Sequence, residues 1–295
     1  MMKRLQHRLE TWIVRDALWL LRRLGPAGAS DLGGFLARHI GPYLPVTRIG
    51  DANLRLALSE LDHASRKRVL GDVWDNLGRT AAELVHVAGL ERTESGPGWE
   101  IEGAEIVEAL AASGGPSILF SAHIGNWELL PKAAGVFGLR MSSFYRAASN
   151  PEVDALIMQL RRSAVGDEVP NFAKGRQGAR AALGHLARGG HLGMLIDQKM
   201  NDGIAVPFFG RTAMTAPAAA AFALRYRCPV IPAHVERIGP ARLRLVVEKP
   251  LALPDSGDRA MDILALTTMM NAILERWIRA RPGEWLWLHR RWPKV

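Results

Sequence analysis

The chain has 295 residues, with 38 Lys+Arg against 29 Asp+Glu for a formal charge of +9, and 48% of it is apolar. These values exclude a disordered tail and a disulfide-stapled mini-protein, and they leave enough chain for a sizeable core in one large domain or two small ones. The charge excess points to an anionic partner, whether nucleic acid, a membrane surface or an acidic protein or substrate. The single cysteine, Cys228, cannot form an internal disulfide. Placed before Pro229 and an apolar run, it reads as a buried strand residue in a reducing compartment. No run reaches the roughly 18 apolar residues that a membrane span needs. The N-terminus lacks a small-residue cleavage site after a clean apolar core, so no signal peptide is expected.

Residues 3–24 read as a helix stopped by Gly25-Pro26. Arg4, Arg8, Arg15 and Arg22 fall in one narrow sector, beside a broad face of Leu5, Leu9, Trp12, Ile13, Leu20 and Leu24, with Trp12 and Trp19 near the border. This pattern suits an interfacial helix on anionic lipid, and equally a core-docking helix with a solvated basic face. From Ala29 to Val87 the chain reads as helical. In the segment from Ser65, a candidate N-cap, Val69, Leu70, Val73, Trp74, Leu77, Ala81, Leu84 and Val85 recur at helical spacing. A turn-rich stretch, 93–98, marks the clearest internal boundary.

Beyond it, strand-compatible runs alternate with helical ones. The strands are expected at 117–121, 141–145, 192–196, 230–235 and 243–247. The helices are expected at 102–112, 126–137, 151–164, 176–187, 216–226 and 258–279. No internal repeat or low-complexity tract interrupts them. The expected fold class is α/β, a mixed central sheet flanked by helices, with a helical N-terminal cap. The expected division is 1–24 as an amphipathic surface helix, 25–98 as a helical region and 99–295 as the α/β domain, with active groups on loops at strand ends.

The sharpest local feature is Ser117-Ile118-Leu119-Phe120-Ser121-Ala122-His123-Ile124-Gly125-Asn126-Trp127-Glu128. A buried strand runs into a histidine, Gly125 allows a sharp turn, and a helix starting near Asn126 would put Glu128 in its first turn, within reach of His123. The pair would then be a base and its orienting carboxylate. The alternative is a helix-capping histidine beside a glutamate that favours the helix dipole. Gly-x-Ser-x-Gly, His-Glu-x-x-His, Gly-x-x-x-x-Gly-Lys and Gly-x-Gly-x-x-Gly do not occur, which removes support for serine hydrolase, zincin, P-loop and dinucleotide readings. His185, His191, His234 and His289 are scattered, so no metal site is expected.

His123-Ile124-Gly125-Asn126-Trp127-Glu128 resembles the histidine-x4-acid motif of the lipid A biosynthesis acyltransferases, the lauroyl and myristoyl transferases of Gram-negative bacteria. The resemblance continues in order through Tyr145-Arg146 and Asn150-Pro151, Gly193-Met194-Leu195-Ile196-Asp197-Gln198, Val206-Pro207-Phe208-Phe209-Gly210 and Cys228-Pro229-Val230-Ile231-Pro232. It ends on Arg281-Pro282-Gly283-Glu284-Trp285-Leu286-Trp287-Leu288-His289-Arg290-Arg291-Trp292.

The resemblance implies a glycerolipid-acyltransferase-like sheet and transfer of a fatty acyl chain from an acyl carrier protein thioester, or acyl-CoA, to a hydroxyl of a Kdo-bearing lipid A precursor. It needs no cofactor and no acyl-enzyme. His123 would be the general base oriented by Glu128, with Asn126, backbone N–H groups or Arg146 as oxyanion donors. Arg146, Arg162 and Arg211 would bind acidic groups of the anionic lipid acceptor. Asp197 and Gln198, at another strand end, would position the acceptor or stabilise the loop. Phe208 and Phe209 would line an acyl groove or fill the core. A membrane surface and an acidic carrier account for the basic balance, leaving no nucleic-acid partner. The tryptophan-rich tail reads as packing plus an interfacial anchor. Arg15 and Asp16 interrupt the first helix, so attachment is expected to be peripheral or monotopic, on the cytoplasmic face of the bacterial inner membrane. Phe209-Gly210 stands where glycerol-phosphate acyltransferases usually carry glutamate-glycine, which argues against a glycerolipid acceptor. Another glycolipid or a lysophospholipid as acceptor, and a catalytically silent lipid-binding protein, are the alternatives.

Overall fold

The structure, a computed structural model, describes residues 2–166 and 168–293; the side chain of Arg4 lies outside the described residues. Helix α1 (Met2–Arg23) is followed by α2 (Gly25–Ile40), α3 (Thr47–Ala57) and α4 (His63–Glu83). Helix α4 starts earlier than expected. Asp62, in extended conformation, accepts the Ser65 N–H at 2.7 Å, so Asp62 is the cap and Ser65 lies in the first turn. Helices α2 and α4 cross where Gly33 meets Gly78. A Cβ on Gly33 would fall 2.4 Å from the Gly78 carbonyl oxygen, so only glycines permit this spacing.

Helix α1 docks along one line. His7, Thr11, Val14, Leu18 and Leu21 are half-buried or buried, while Leu5, Leu9, Trp12, Ile13, Trp19 and Leu20 point to solvent. The docking uses polar ties: Asn150 Nδ2 donates to the His7 carbonyl at 2.9 Å, and His86 Nε2 contacts the Leu21 carbonyl at 3.0 Å.

The remaining elements are β1 (Gly98–Glu102), α5 (Ala104–Ser113), β2 (Ser117–Ser121), α6 (Leu129–Val136), β3 (Met141–Tyr145), α7 (Pro151–Val165), β4 (Phe172–Ala173) and α8 (Arg176–Ala187). They continue through β5 (His191–Leu195), β6 (Lys199–Phe208), β7 (Arg211–Thr215), α9 (Ala218–Tyr226), β8 (Val230–Gly239), β9 (Arg242–Val247) and α10 (Arg259–Ala280). Seven strands form a sheet in the order β1-β9-β8-β2-β5-β3-β4. All neighbours are parallel except β8 and β9. The fold is therefore α/β, a mixed, mostly parallel sheet flanked by helices, preceded by a helical segment. The β6–β7 hairpin stands apart from the sheet. It was not anticipated, because Lys199, Asn201, Asp202 and Gly203 break the alternation that marks a half-buried strand, and the pairing itself shifts register there.

Strand β2, at the centre of the sheet, is buried along its whole length and on both faces, as a mostly parallel sheet requires. Ile118, Phe120 and Leu192 face a core shared with α8, α9 and α10, whereas Leu119, Met141 and Ile231 face a second core built on α5 and α6. The first core also takes in Leu54 from α3, Leu70, Val73 and Trp74 from α4, and the C-terminal Trp285 and Trp287. The helical segment and the sheet are thus packed on common side chains.

The tail corrects one expectation. Trp285, Trp287 and Trp292 are buried rather than interfacial, with Phe208 at 6.0 Å from Trp285 and 5.6 Å from Trp292, centroid to centroid. Such pairs add about 0.5–1.5 kcal/mol beyond area burial. Phe208 and Phe209 therefore fill this core. Cys228 is buried too, and burial pushes its thiol up to about 11, away from thiolate chemistry.

Candidate active site

Strands β2 and β5 are parallel neighbours, with Ser121 opposite Leu195. Two residues beyond each, His123 and Asp197 leave the sheet side by side. The His123 backbone N–H donates to Asp197 Oδ2 at 3.0 Å, and His123 Nδ1 meets Asp197 Oδ1 at 2.8 Å. Asp197 is fully buried, and its Oδ2 also accepts the Trp285 indole N–H at 2.8 Å. Burial alone would raise its pKa, but the His123 charge and hydrogen bonds outweigh burial and hold the carboxyl below the ordinary carboxylate range. The His123 ring lies edge-on to Trp127, with centroids 5.1 Å apart, and keeps 16% of its side chain exposed.

The turn that carries His123 is held from two directions. Gly125 has φ +57°, and a Cβ there would sit 1.7 Å from the Val235 carbonyl oxygen, so no other residue fits. Its own carbonyl accepts from Asn76 Nδ2 and Thr80 Oγ1 of α4, both at 3.0 Å. The C-terminal segment closes the other side, where Leu286 N–H donates to the His123 carbonyl at 2.9 Å.

Glu128 does not orient the histidine. Helix α6 begins only at Leu129, so Glu128 is its N-cap residue rather than part of a first turn. Its carboxylate receives Arg161 of α7, Nε at 2.9 Å and Nη2 at 2.6 Å, a bidentate pair. The imidazole's carboxylate is Asp197 instead, 74 residues away in sequence. Burial would lower the Arg161 pKa, but the hydrogen bonds and charge of Glu128 prevail and raise it.

His123, Trp127, Glu128 and Arg161 border a cavity of about 900 Å³ over the C-terminal strand ends. Arg146 and Gln198 border it as well, the latter accepting Lys174 Nζ at 2.6 Å. Burial and the neighbouring Arg146 charge lower the Lys174 pKa.

Other expected site residues lie elsewhere. Asn126 is buried below the turn, where Nδ2 donates to Glu83 Oε2 at 2.7 Å, so it is no oxyanion donor. Glu83 in turn pairs with Arg237 and accepts Ser30 Oγ at 2.6 Å. Arg162 is exposed and outside the cavity wall; one residue is a 100° step on the helix, which puts Arg161 there in its place. Arg211 is also outside the wall, donating Nε to the Leu56 carbonyl at 2.9 Å. Asp197 is buried and engaged with His123 and Trp285, so it does not reach an acceptor. Arg161, Lys174, Glu83 and Trp285 are contributors that sequence reasoning did not single out. Only Trp285 sat in a quoted motif, and nothing local ties it to Asp197.

No curated protein matches the sequence. Among solved structures, the chain is similar to the 1-acyl-sn-glycerophosphate (LPA) acyltransferase PlsC from Thermotoga maritima. The identity is 13%, coverage is 87% of this chain and 100% of that one, and the TM-score of 0.37 makes the likeness too partial to bear on fold or activity. The family described as bacterial lipid A biosynthesis acyltransferase matches residues 2–294, nearly the whole chain. The chain therefore belongs to the bacterial lipid A biosynthesis acyltransferase family and is an acyltransferase.

Proposed function

We propose that this enzyme moves a fatty acyl chain from an acyl carrier protein thioester to a hydroxyl of a Kdo-bearing lipid A precursor, with His123 as general base and Asp197 as the carboxylate that orients it. The observation that carries the proposal is the His123–Asp197 pair at the edge of a largely apolar cavity. Donation of the Nδ1 proton to Asp197 leaves Nε2 to take the proton of the acceptor hydroxyl. The acceptor oxygen attacks the thioester carbonyl carbon, the tetrahedral oxyanion collapses, the C–S bond breaks, and the imidazolium returns its proton to the thiolate. The products are an ester and a free thiol, with no acyl-enzyme between. Arg146 supplies positive charge beside the developing oxyanion and the acidic acceptor, and Arg161, its charge balanced by the bidentate Glu128 pair, fixes the cavity wall next to His123.

The same reading places the protein on the cytoplasmic face of the inner membrane as a peripheral or monotopic protein. No helix among the described residues is long and apolar enough to cross a membrane. Helix α1 nevertheless leaves Trp12 64% exposed and Trp19 59% exposed, and Phe35, Ile40 and Tyr43 extend the apolar surface. With Arg8, Arg15 and Arg22 exposed on the same helix, this surface suits anionic lipid. Co-sedimentation with vesicles containing an anionic lipid measures it. Trp12→Ala with Trp19→Ala is expected to lower the bound fraction several-fold, and an unchanged fraction refutes the role of α1.

The central test is incubation of acyl carrier protein thioesters with a tetra-acylated, Kdo-bearing precursor, with products weighed by mass spectrometry. The expected result is a mass gain of one acyl chain, reduced about 10²–10⁴-fold in His123→Ala with folding retained. Near-normal turnover by that variant would remove His123 from the chemistry. Absence of transfer by the folded wild type would move the acceptor to another lipid.

A further inference from the structure

The cavity beside His123 reaches both faces of the sheet. Adjacent strand residues point to opposite faces, yet both Leu119 and Phe120 of β2 and both Gly193 and Met194 of β5 line it. Leu119 belongs to the core on the α6 side and Phe120 to the core on the α8 and α9 side. The space therefore divides into two apolar arms that meet over the strand ends. One arm runs along α6 and α7, walled by Leu119, Leu130, Met141, Leu160 and Ala164. Gly193 lets the Met141 side chain pack across its floor, since a Cβ there would lie 2.9 Å from Met141 Sδ. The other arm runs between α8 and α9, walled by Phe120, Met194, Ile196, Ala179 and Phe222.

The arms differ in the charge at their rims. Beside the α6–α7 arm stands Arg161, whose charge Glu128 neutralises through two hydrogen bonds. Beside the α8–α9 arm stand Arg146, Lys174 and Arg176, for which no carboxylate lies within ion-pair contact among the described residues, although the charge of buried Asp197 acts on Lys174. Arg176 and Ala179 lie three residues apart, on one face of α8. That helix thus offers a cation at the mouth and an apolar wall one turn below, a match for an amphiphile with an anionic head and a fatty tail. A thioester donor brings the one chain that is transferred, and the rest of it is polar, so it leaves the second arm without an occupant.

We infer that the α8–α9 arm binds a fatty chain already carried by the anionic acceptor lipid, while the α6–α7 arm holds the chain being transferred. This rests on the acyl-transfer reading above. Specificity then resides in two places, with donor length set along α7 and acceptor acylation set along α8.

The test plugs each arm at a partly exposed alanine, with Ala164→Phe for the α6–α7 arm and Ala179→Phe for the α8–α9 arm. Ala164→Met and Ala179→Met replace them if thermal melting shows that a phenylalanine unfolds the protein. Myristate binding counted by native mass spectrometry is independent of turnover. Each plug is expected to remove one of the two chains that the wild type holds in the cavity, and a wild type whose count neither plug lowers overturns the inference. In transfer assays, Ala164→Phe is expected to shift the donor optimum to shorter chains. Ala179→Phe is expected to raise KM for the acylated acceptor about tenfold while the donor optimum stays in place. A donor optimum shifted by Ala179→Phe would assign both arms to the donor and overturn the inference. Two bound chains, each removed by its own plug, without acyl transfer would instead refute the proposed reaction, leaving two chain sites while their donor and acceptor roles fall with it.

Discussion

Two carboxylates lie close to the turn that carries His123, and their surroundings give them different partners. Glu128, at the start of α6, keeps 14% of its side chain exposed and neutralises Arg161. Asp197, at the end of β5, is fully buried and grips both the ring and the backbone of His123. Glu128 lies five positions from His123 in the chain, and Asp197 lies 74 positions from it. A short separation is a poor guide to partnership where a helix turns one side chain away, whereas a parallel register brings strand ends together whatever the chain between them.

Substitution at the two positions breaks or sharpens that contrast. The largest effect is expected for Asp197→Asn. An amide in place of the carboxylate no longer stabilises the imidazolium and allows the wrong tautomer, so kcat is expected to fall about 10²–10⁴-fold, with the pH–rate profile distorted. The same variant has a signature in stability. Because the folded-state pKa of Asp197 lies below its ordinary 3.8, its ionised form favours the native state above that value, and the advantage is lost as the pH falls below it. The difference in Tm between wild type and Asp197→Asn is therefore expected to narrow on acidification from about pH 5 to pH 3. A constant difference would mean that the buried charge does not contribute through its His123 contacts.

A smaller loss is expected for Glu128→Gln. Releasing Arg161 loosens the cavity wall beside His123, and a loss of about 1.4 kcal/mol of transition-state binding, about a tenfold reduction in kcat/KM, is expected. The acid limb of the pH–rate profile is expected to stay in place, because the imidazole's partner is untouched. Equal damage from the two substitutions, with equal shifts in the profile, would dissolve the contrast and return Glu128 to the chemistry.

How much of this was legible follows from the same distinction. Strands β2 and β3 carry contiguous apolar, β-compatible residues, and their spans agree with the expected 117–121 and 141–145. Helix α8 likewise agrees at both ends with 176–187. The β6–β7 hairpin was missed because its first half is polar and irregular, so nothing in its pattern announces pairing. Helix α6 was started three residues too early. Of the expected site residues, His123, Glu128, Arg146 and Gln198 border the cavity, whereas Asn126, Arg162 and Arg211 face elsewhere. Asn126 answers Glu83 from α4, a buried partner that no local spacing connects to it.

The amino-acid sequence by itself determined the α/β alternation, the histidine at a strand end, the glycine that lets the chain turn there, and the amphipathic first helix. These properties are local, since propensity, periodicity and backbone freedom act over a few residues. The tertiary structure alone decided which carboxylate serves His123, which arginine reaches the cavity, that the C-terminal tryptophans are core, and that the cavity opens on both faces of the sheet. Those outcomes depend on strand order and register, which bring together side chains at separations along the chain that no spacing rule encodes.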